Sequence, residues 1–378
     1  MTTPLLATKL YRPLPSPNLV PRPRLLNLLQ GNLEQAGGFT RKLTLVSAPA
    51  GYGKTTLVAE WLDHWEKETG SAQRIAWLSL DEGDNDSTLF LQYVIAALKR
   101  VNEKIGITSL AMLQSPQAPP VQIMLTPLIN DLDALTAPAI LALDDYHIPS
   151  TPVIHQMIAF LLEHLPPQLH LVLLTREDPL LPVAQLRARG QVLEIRQDDL
   201  RFTHAESTDF LQRVKGLSLS ANEITALENH TEGWIAGLQL AALSMQGRTD
   251  RSAFIRAFTG SSRFILDYLI EEVFKRQTPE VQDFLLKTSI LERFSAPLCD
   301  TMVEKTNSQE MLEGLEQANL FIIPLDQSRV WYRYHRLFAE LLRHRLRATQ
   351  PEIETELHQH ASRWFESEGL EAEAIQHA

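Results

Sequence analysis

Ten consecutive residues constrain this chain more than any others: Ser47-Ala48-Pro49-Ala50-Gly51-Tyr52-Gly53-Lys54-Thr55-Thr56. They follow a short β-rich run, Leu43 to Ser47. They lead into a segment where Leu57, Val58, Trp61, Leu62 and Trp65 share one helical face. The pattern G-x-x-x-x-G-K-[ST] is met except at its first position, where Ala48 replaces glycine. Gly51 and Gly53 let the backbone bend so that several N–H groups converge on phosphate oxygens. A helix beginning near Lys54 adds its N-terminal partial positive charge. Lys54 is expected to reach β- and γ-phosphates, and Thr55 to offer its hydroxyl to Mg²⁺. Pro49, Ala50, Tyr52 and Thr56 complete the expected phosphate-binding stretch.

The alternation of strand and helix continues downstream. Ile75 to Leu80 reads as a strand, followed by a helix capped by Asp86 or Ser87. Val121 to Leu135 and Val153 to Leu165 read as helices. Ala139 to Leu143 and Leu169 to Leu174 are apolar runs, and Gln191 to Ile195 reads as an edge strand. Strands alternating with helices require crossover connections, hence a parallel sheet with helices on both faces. Strands apolar throughout fit a sheet covered on both sides. The fold class expected is therefore α/β.

Asp144-Asp145 ends one buried run, where an acidic residue faces the Mg²⁺ site across the sheet. Asp144 is expected to hold Mg²⁺ through water, and Asp145 to orient or activate the attacking water. Arg176 follows the Leu171 to Thr175 run, at the edge where open sheets bind ligands, and its guanidinium can sense a γ-phosphate.

Composition narrows the classes. A net charge of −11 argues against a nucleic-acid coat. The single cysteine, Cys299, excludes a disulfide framework and a cysteine-based zinc site, and reads as buried filler. No apolar run is long enough for a membrane helix, and the proline-rich stretch Thr3 to Pro23 does not read as a signal peptide but as an extended arm. A cytoplasmic location is expected. Asp81 to Asp86 fails the calcium-loop template, with its glycine third and Gln92 at position twelve, and reads as a polar loop capping the next helix.

After Phe202 strand signals almost vanish. His204 to Gly247 and Ser252 to Gln277 read as helices. A hairpin of Phe321 to Ile323 with Val330 to Tyr332, turning at Asp326-Gln327-Ser328, suggests a winged helix. Arg333, Arg336, Arg343, Arg345 and Arg347, with His335 and His344, read as a solvated helix face paired with the acidic remainder of the chain rather than a DNA contact. From Pro351 a helical pattern runs to Ala378.

Together these residues resemble the STAND class of signal-transduction ATPases, in its MalT-like branch of large ATP-binding regulators of the LuxR family. The carriers are Val20 to Arg24, the loop Pro49 to Thr56, Trp77 to Asp81, Asp144-Asp145-Tyr146-His147, Leu186 to Gly190, Gly233 to Leu238, and Tyr332 to Phe338. The resemblance implies ATP or ADP with Mg²⁺ as cofactors. It implies that Val20 and Arg22 lie against the adenine and its surroundings. It implies that His335 touches the β-phosphate of ADP and holds the domains closed. Gly233 to Leu238 stands where many such proteins carry a glycine-x-proline motif, and this sequence has no proline there.

The domains expected are 1–203, a nucleotide-binding domain with an extended arm; 204–277, helical; 278–346, winged helix; and 347–378, the start of a helical sensor. The expected function is a regulatory switch, closed with ADP, self-associating with ATP and an inducer, and reset by slow hydrolysis. The inducer is expected to act through a C-terminal sensor, and DNA only through a C-terminal domain, both outside this chain. The alternatives are an immune-type effector built on the same switch, or a turnover enzyme or motor.

Overall fold

The structure is a computed structural model and describes residues 5–14, 18–31, 33–35, 38–70, 74–115, 119–245, 251–256, 258 and 262–378. Two compact units emerge. The first comprises Met1–Ala48 and Gly53–Leu200, the second Pro49–Tyr52 and Arg201–Ala378. The four-residue tip of the glycine-rich loop thus packs with the second unit.

The first unit is built on a parallel sheet of five strands: β1 (Leu43–Ser47), β2 (Ile75–Ser79), β3 (Ala139–Asp144), β4 (Leu169–Thr175) and β5 (Val192–Ile195), in the order β2-β3-β4-β1-β5. Every residue of β1, β3 and β4 is buried, as unbroken apolar runs require when helices cover both faces. β5 is the edge strand expected from its shorter run. Register places Ser47 of β1 beside Thr175 of β4, and Leu143 of β3 beside Leu173 of β4. The loop after β1, Asp144 and Arg176 therefore leave the sheet at the same carboxyl edge, with β4 between β1 and β3.

The helix Lys54–Thr69 starts at Gly53 and stops at Gly70, both left-handed with φ of 77° and 67°. It buries Leu57, Val58, Trp61, Leu62 and Trp65. Ser87–Lys99 is capped by the Asp86 carboxylate, which accepts from the Leu89 N–H at 2.8 Å. The Asp81 to Asp86 stretch is a capping loop, as expected. Asp84 is fully buried there and takes the Lys9 ammonium at 2.7 Å. That contact gives the N-terminal arm a short turn, Ala7–Leu10, in place of the fully extended run expected over Thr3 to Pro23. Thr3, Pro4 and 15–17 lie outside the described residues.

The second unit is helical apart from one hairpin. Ala221–Thr231 and Ile235–Met245 occupy the predicted helical stretch, whose end at Gly247 lies outside the described residues. The helices Pro279–Thr288, Ala296–Val303, Ser308–Gln317 and Arg336–Thr349 surround the hairpin. Its strands are Ile322–Pro324 and Tyr332–Tyr334, so the second lies two residues beyond its expected place. The cause is Asp326, whose carboxylate accepts from the N–H groups of Val330 and Trp331 and commits both to the turn. Cys299 is fully buried in Ala296–Val303, and burial pushes its thiol pKa up, as befits filler. Among the described residues, no helix is long and apolar enough to cross a membrane.

Candidate nucleotide site

Lys54 opens its helix with its side chain buried, donating to the Ala48 carbonyl at 2.8 Å. Burial, with help from nearby Arg176, lowers its pKa to about 8, while Asp145 and Asp144 oppose the shift. The Thr55 hydroxyl donates to the Asp144 carboxylate, 3.1 Å from each oxygen. Burial and the neighbouring Asp145 charge raise the Asp144 pKa to about 7, against the stabilising bonds from Thr55 and the Asp145 N–H. The sheet register thus brings together Lys54, Thr55, Asp144, Asp145 and Arg176, the five residues the sequence places at one edge.

Asp145 holds a left-handed backbone, with φ 57°, which is costly for a residue other than glycine. Its carboxylate lies 3.8 Å from His147 Nδ1 and is exposed. Val20 and Arg22 are buried in the same unit, and Arg22 donates to the Leu200 carbonyl at 2.7 Å.

The loop tip has its own partners within the second unit. The Trp234 indole N–H donates to the Ala50 carbonyl at 3.0 Å, and the Ala236 N–H to the Gly51 carbonyl at 3.0 Å. Gly51 has φ 80°, and a Cβ there would stand 2.5 Å from Ala236 Cβ and 2.8 Å from Trp234 Nε1. Tyr52 is fully buried, its ring 6.3 Å from that of Phe321.

His335 is fully buried, with Nε2 2.9 Å from the Thr231 carbonyl and its ring edge-on to Trp234 and Phe321. A carbonyl only accepts, so Nε2 carries the proton. Nδ1 is buried with no hydrogen-bond partner among the described residues. Burial lowers the pKa to about 4, against the raising effects of Glu232 and the Thr231 bond. Next to it, Glu232 accepts both arms of the Arg333 guanidinium at 2.9 Å and caps the Arg336 N–H at 3.0 Å. No local motif marks Glu232; its role depends on a partner a hundred residues away.

Much of the basic face is paired with carboxylates, as expected, but His335 is not part of a solvated surface. Arg333 is engaged by Glu232 and His335 is in the core, while Arg336 pairs with Glu340, Arg347 with Glu354, and Arg345 lies 4.7 Å over the Phe274 ring.

The donor set fits its expected guests. A threonine hydroxyl and a carboxylate at one point are hard oxygen ligands of the kind Mg²⁺ prefers. A buried lysine at a helix N-terminus, after a loop with two left-handed glycines, fits a phosphate.

Residues 270–354 match the family model of the MalT winged helix domain. Over 99% of its length the chain is 35% identical to the HTH-type transcriptional regulator MalT of Klebsiella pneumoniae subsp. pneumoniae, and equally so to that of Klebsiella pneumoniae strain 342. It spans 40% of the length of these relatives. Among solved structures, the Walker-type ATPase of Pyrococcus abyssi shares the fold, with a TM-score of 0.60 at 16% identity, over 89% of this chain and 100% of that one. Fold and site together define a P-loop ATPase fold followed by helices and a winged helix. More particularly, the chain is a MalT-like region carrying a MalT winged helix domain.

Proposed function

We propose that this chain is the nucleotide switch of a larger transcription regulator. The carrying observation is the convergence of Lys54, Thr55 and Asp144, with Arg176 beside them, at one sheet edge. ATP and ADP bind through the loop Pro49 to Thr56. Lys54 exchanges the Ala48 carbonyl for phosphate oxygens, and Thr55 and Asp144 part to hold Mg²⁺, which supplies positive charge against the phosphates. Asp145 orients a water for slow hydrolysis, and Arg176 neutralises charge at the γ-phosphate. Val20 and Arg22 flank the base.

In this reading 1–203 is the nucleotide-binding domain, 204–277 a helical domain, 278–346 the winged helix and 347–378 the start of a sensor. His335 donates to the β-phosphate of ADP and favours a closed form. ATP with an inducer favours self-association, because each ligand shifts the balance by its differential affinity. The inducer acts through a sensor outside this chain. DNA binds through a further domain, a reading supported by the likeness to HTH-type transcriptional regulators more than twice as long as this chain. The setting is cytoplasmic.

Calorimetry with ATP and ADP, with and without Mg²⁺, tests the binding step. Sedimentation in each nucleotide tests the switch. Equal affinities and one sedimentation profile in both nucleotides would leave a turnover enzyme as the better account.

A further inference from the structure

A cavity of about 660 Å³ lies wholly within the second unit. That size suits a small organic ligand. None of the residues from Pro49 to Thr56 lines it, and neither does His335. Four arginines do: Arg201, Arg333, Arg336 and Arg343. Arg336, Ala339 and Arg343 fall at i, i+3 and i+7 of the helix Arg336–Thr349, so one face of that helix forms a wall.

The carboxylates at the same cavity each have a hydrogen-bond partner other than Arg343. Glu232 holds Arg333 and the Arg336 N–H. Glu228 takes His204 Nδ1 at 2.6 Å, and Glu292 takes the Gln376 amide at 3.0 Å. Arg343 is half-buried, and its guanidinium makes no hydrogen bond or ion pair among the described residues. Burial lowers its pKa; Glu340 and Glu292 oppose this, while Arg347 and Arg336 add to the lowering. A half-buried guanidinium that no carboxylate bonds directly keeps its fork of donors open, and a bound anion would fill it.

We infer that this cavity binds a small phosphorylated molecule, gripped by Arg343 with support from Arg336 and Arg201. The planar guanidinium fork matches phosphate oxygens pairwise, which favours a phosphate over a simple halide. Phe202, Leu291, Tyr334 and Ala339 also line the cavity and give an organic group apolar surface. The ligand is thus either a phosphate ester or free phosphate, and the two differ in whether that apolar surface contributes.

The test uses the full chain carrying Lys54→Ala, so that the glycine-rich loop cannot report. Inorganic phosphate and phenyl phosphate are titrated by calorimetry. Binding is expected to persist in Lys54→Ala and to weaken roughly tenfold or more on adding Arg343→Gln, the loss of one charge-assisted bond. Arg336→Gln serves as a second variant should Arg343→Gln fail to fold, and Arg347→Gln as the exposed control. Tighter binding of phenyl phosphate points to an ester, equal binding to free phosphate. No binding in Lys54→Ala, or affinity indifferent to Arg343 and Arg336, overturns the inference. So does a parallel loss of ADP affinity when Arg343→Gln is made alone, since the cavity would then belong to the nucleotide site.

Discussion

The Trp234 indole N–H is bonded to the carbonyl of Ala50, at the tip of the glycine-rich loop, across 184 residues of sequence. Together with the Ala236 N–H on Gly51, it fixes two loop carbonyls. Gly51 is needed twice over, for its left-handed backbone and for the close approach of Trp234 and Ala236.

Gly51→Ala should therefore cost about 2–4 kcal/mol, from backbone strain and overpacking combined. Adding Ala236→Gly removes the 2.5 Å Cβ contact but neither the φ of 80° nor the 2.8 Å approach to Trp234, so rescue is partial. Trp234→Phe should cost about 1–3 kcal/mol by orphaning the buried Ala50 carbonyl. Urea denaturation checks all three; parental stability in Gly51→Ala would contradict the packing.

Lys54→Ala removes the buried ammonium at the helix start. Nucleotide affinity should fall at least roughly tenfold to a hundredfold, the value of one charge-assisted bond in a dry site. Calorimetry decides, and an unchanged affinity would detach Lys54 from phosphate binding.

Asp144→Asn and Asp145→Ala should separate binding from turnover. Asp144 carries the Thr55 bond, so its loss weakens the Mg²⁺-dependent part of affinity. Asp145 is exposed and lies outside the phosphate cradle, so nucleotide binding survives while phosphate release slows. Steady release at the parental rate in Asp145→Ala would remove it from the chemistry.

Glu232 supplies an acid-sensitive contact. Burial alone would raise its pKa, but the Arg333 bond and the positive surroundings hold it at about 2, below the ordinary 4.5. A carboxylate depressed in the folded state contributes stability that is full above pH 4.5 and is lost as pH falls towards 2. Acid unfolding of Glu232→Gln should be shallower than that of the parent over this window. Parallel curves would show that Arg333 does not depend on the charge.

Much of this was legible from local pattern. The strands, the loop and the helix caps are set by residues within a few positions of one another, so period and turn chemistry reveal them. The hairpin register was not, because Asp326 spends two N–H groups on the turn. Nor was the Trp234 bond to the loop, since no periodicity relates residues so far apart. His335 illustrates the same limit: among arginines it reads as a surface residue, yet the fold buries it against Trp234 and Phe321.

The buried state of His335 makes the last prediction specific. With Nε2–H committed to Thr231, the free nitrogen Nδ1 presents a lone pair, which repels a phosphate oxygen. To donate to the β-phosphate of ADP, the ring must either release Thr231 or take up a second proton. In the absence of ligand, burial keeps the ring neutral, with a pKa of about 4; Glu232 and the Thr231 bond raise it, and Arg201 and Arg333 lower it. An anionic phosphate would lift that value, so ADP binding should draw in a proton. Affinity for ADP should then be higher at pH 6 than at pH 8 by more in the parent than in His335→Gln, which removes this titration and cancels the contributions of ADP itself and of Lys54. At pH 6 the variant should lose roughly ten- to a hundredfold in ADP affinity, and less for ATP. Calorimetry in two buffers of different ionisation enthalpy counts the proton directly. An identical proton count and ADP affinity in parent and variant would place His335 in the core alone, as a partner of Thr231 and nothing more.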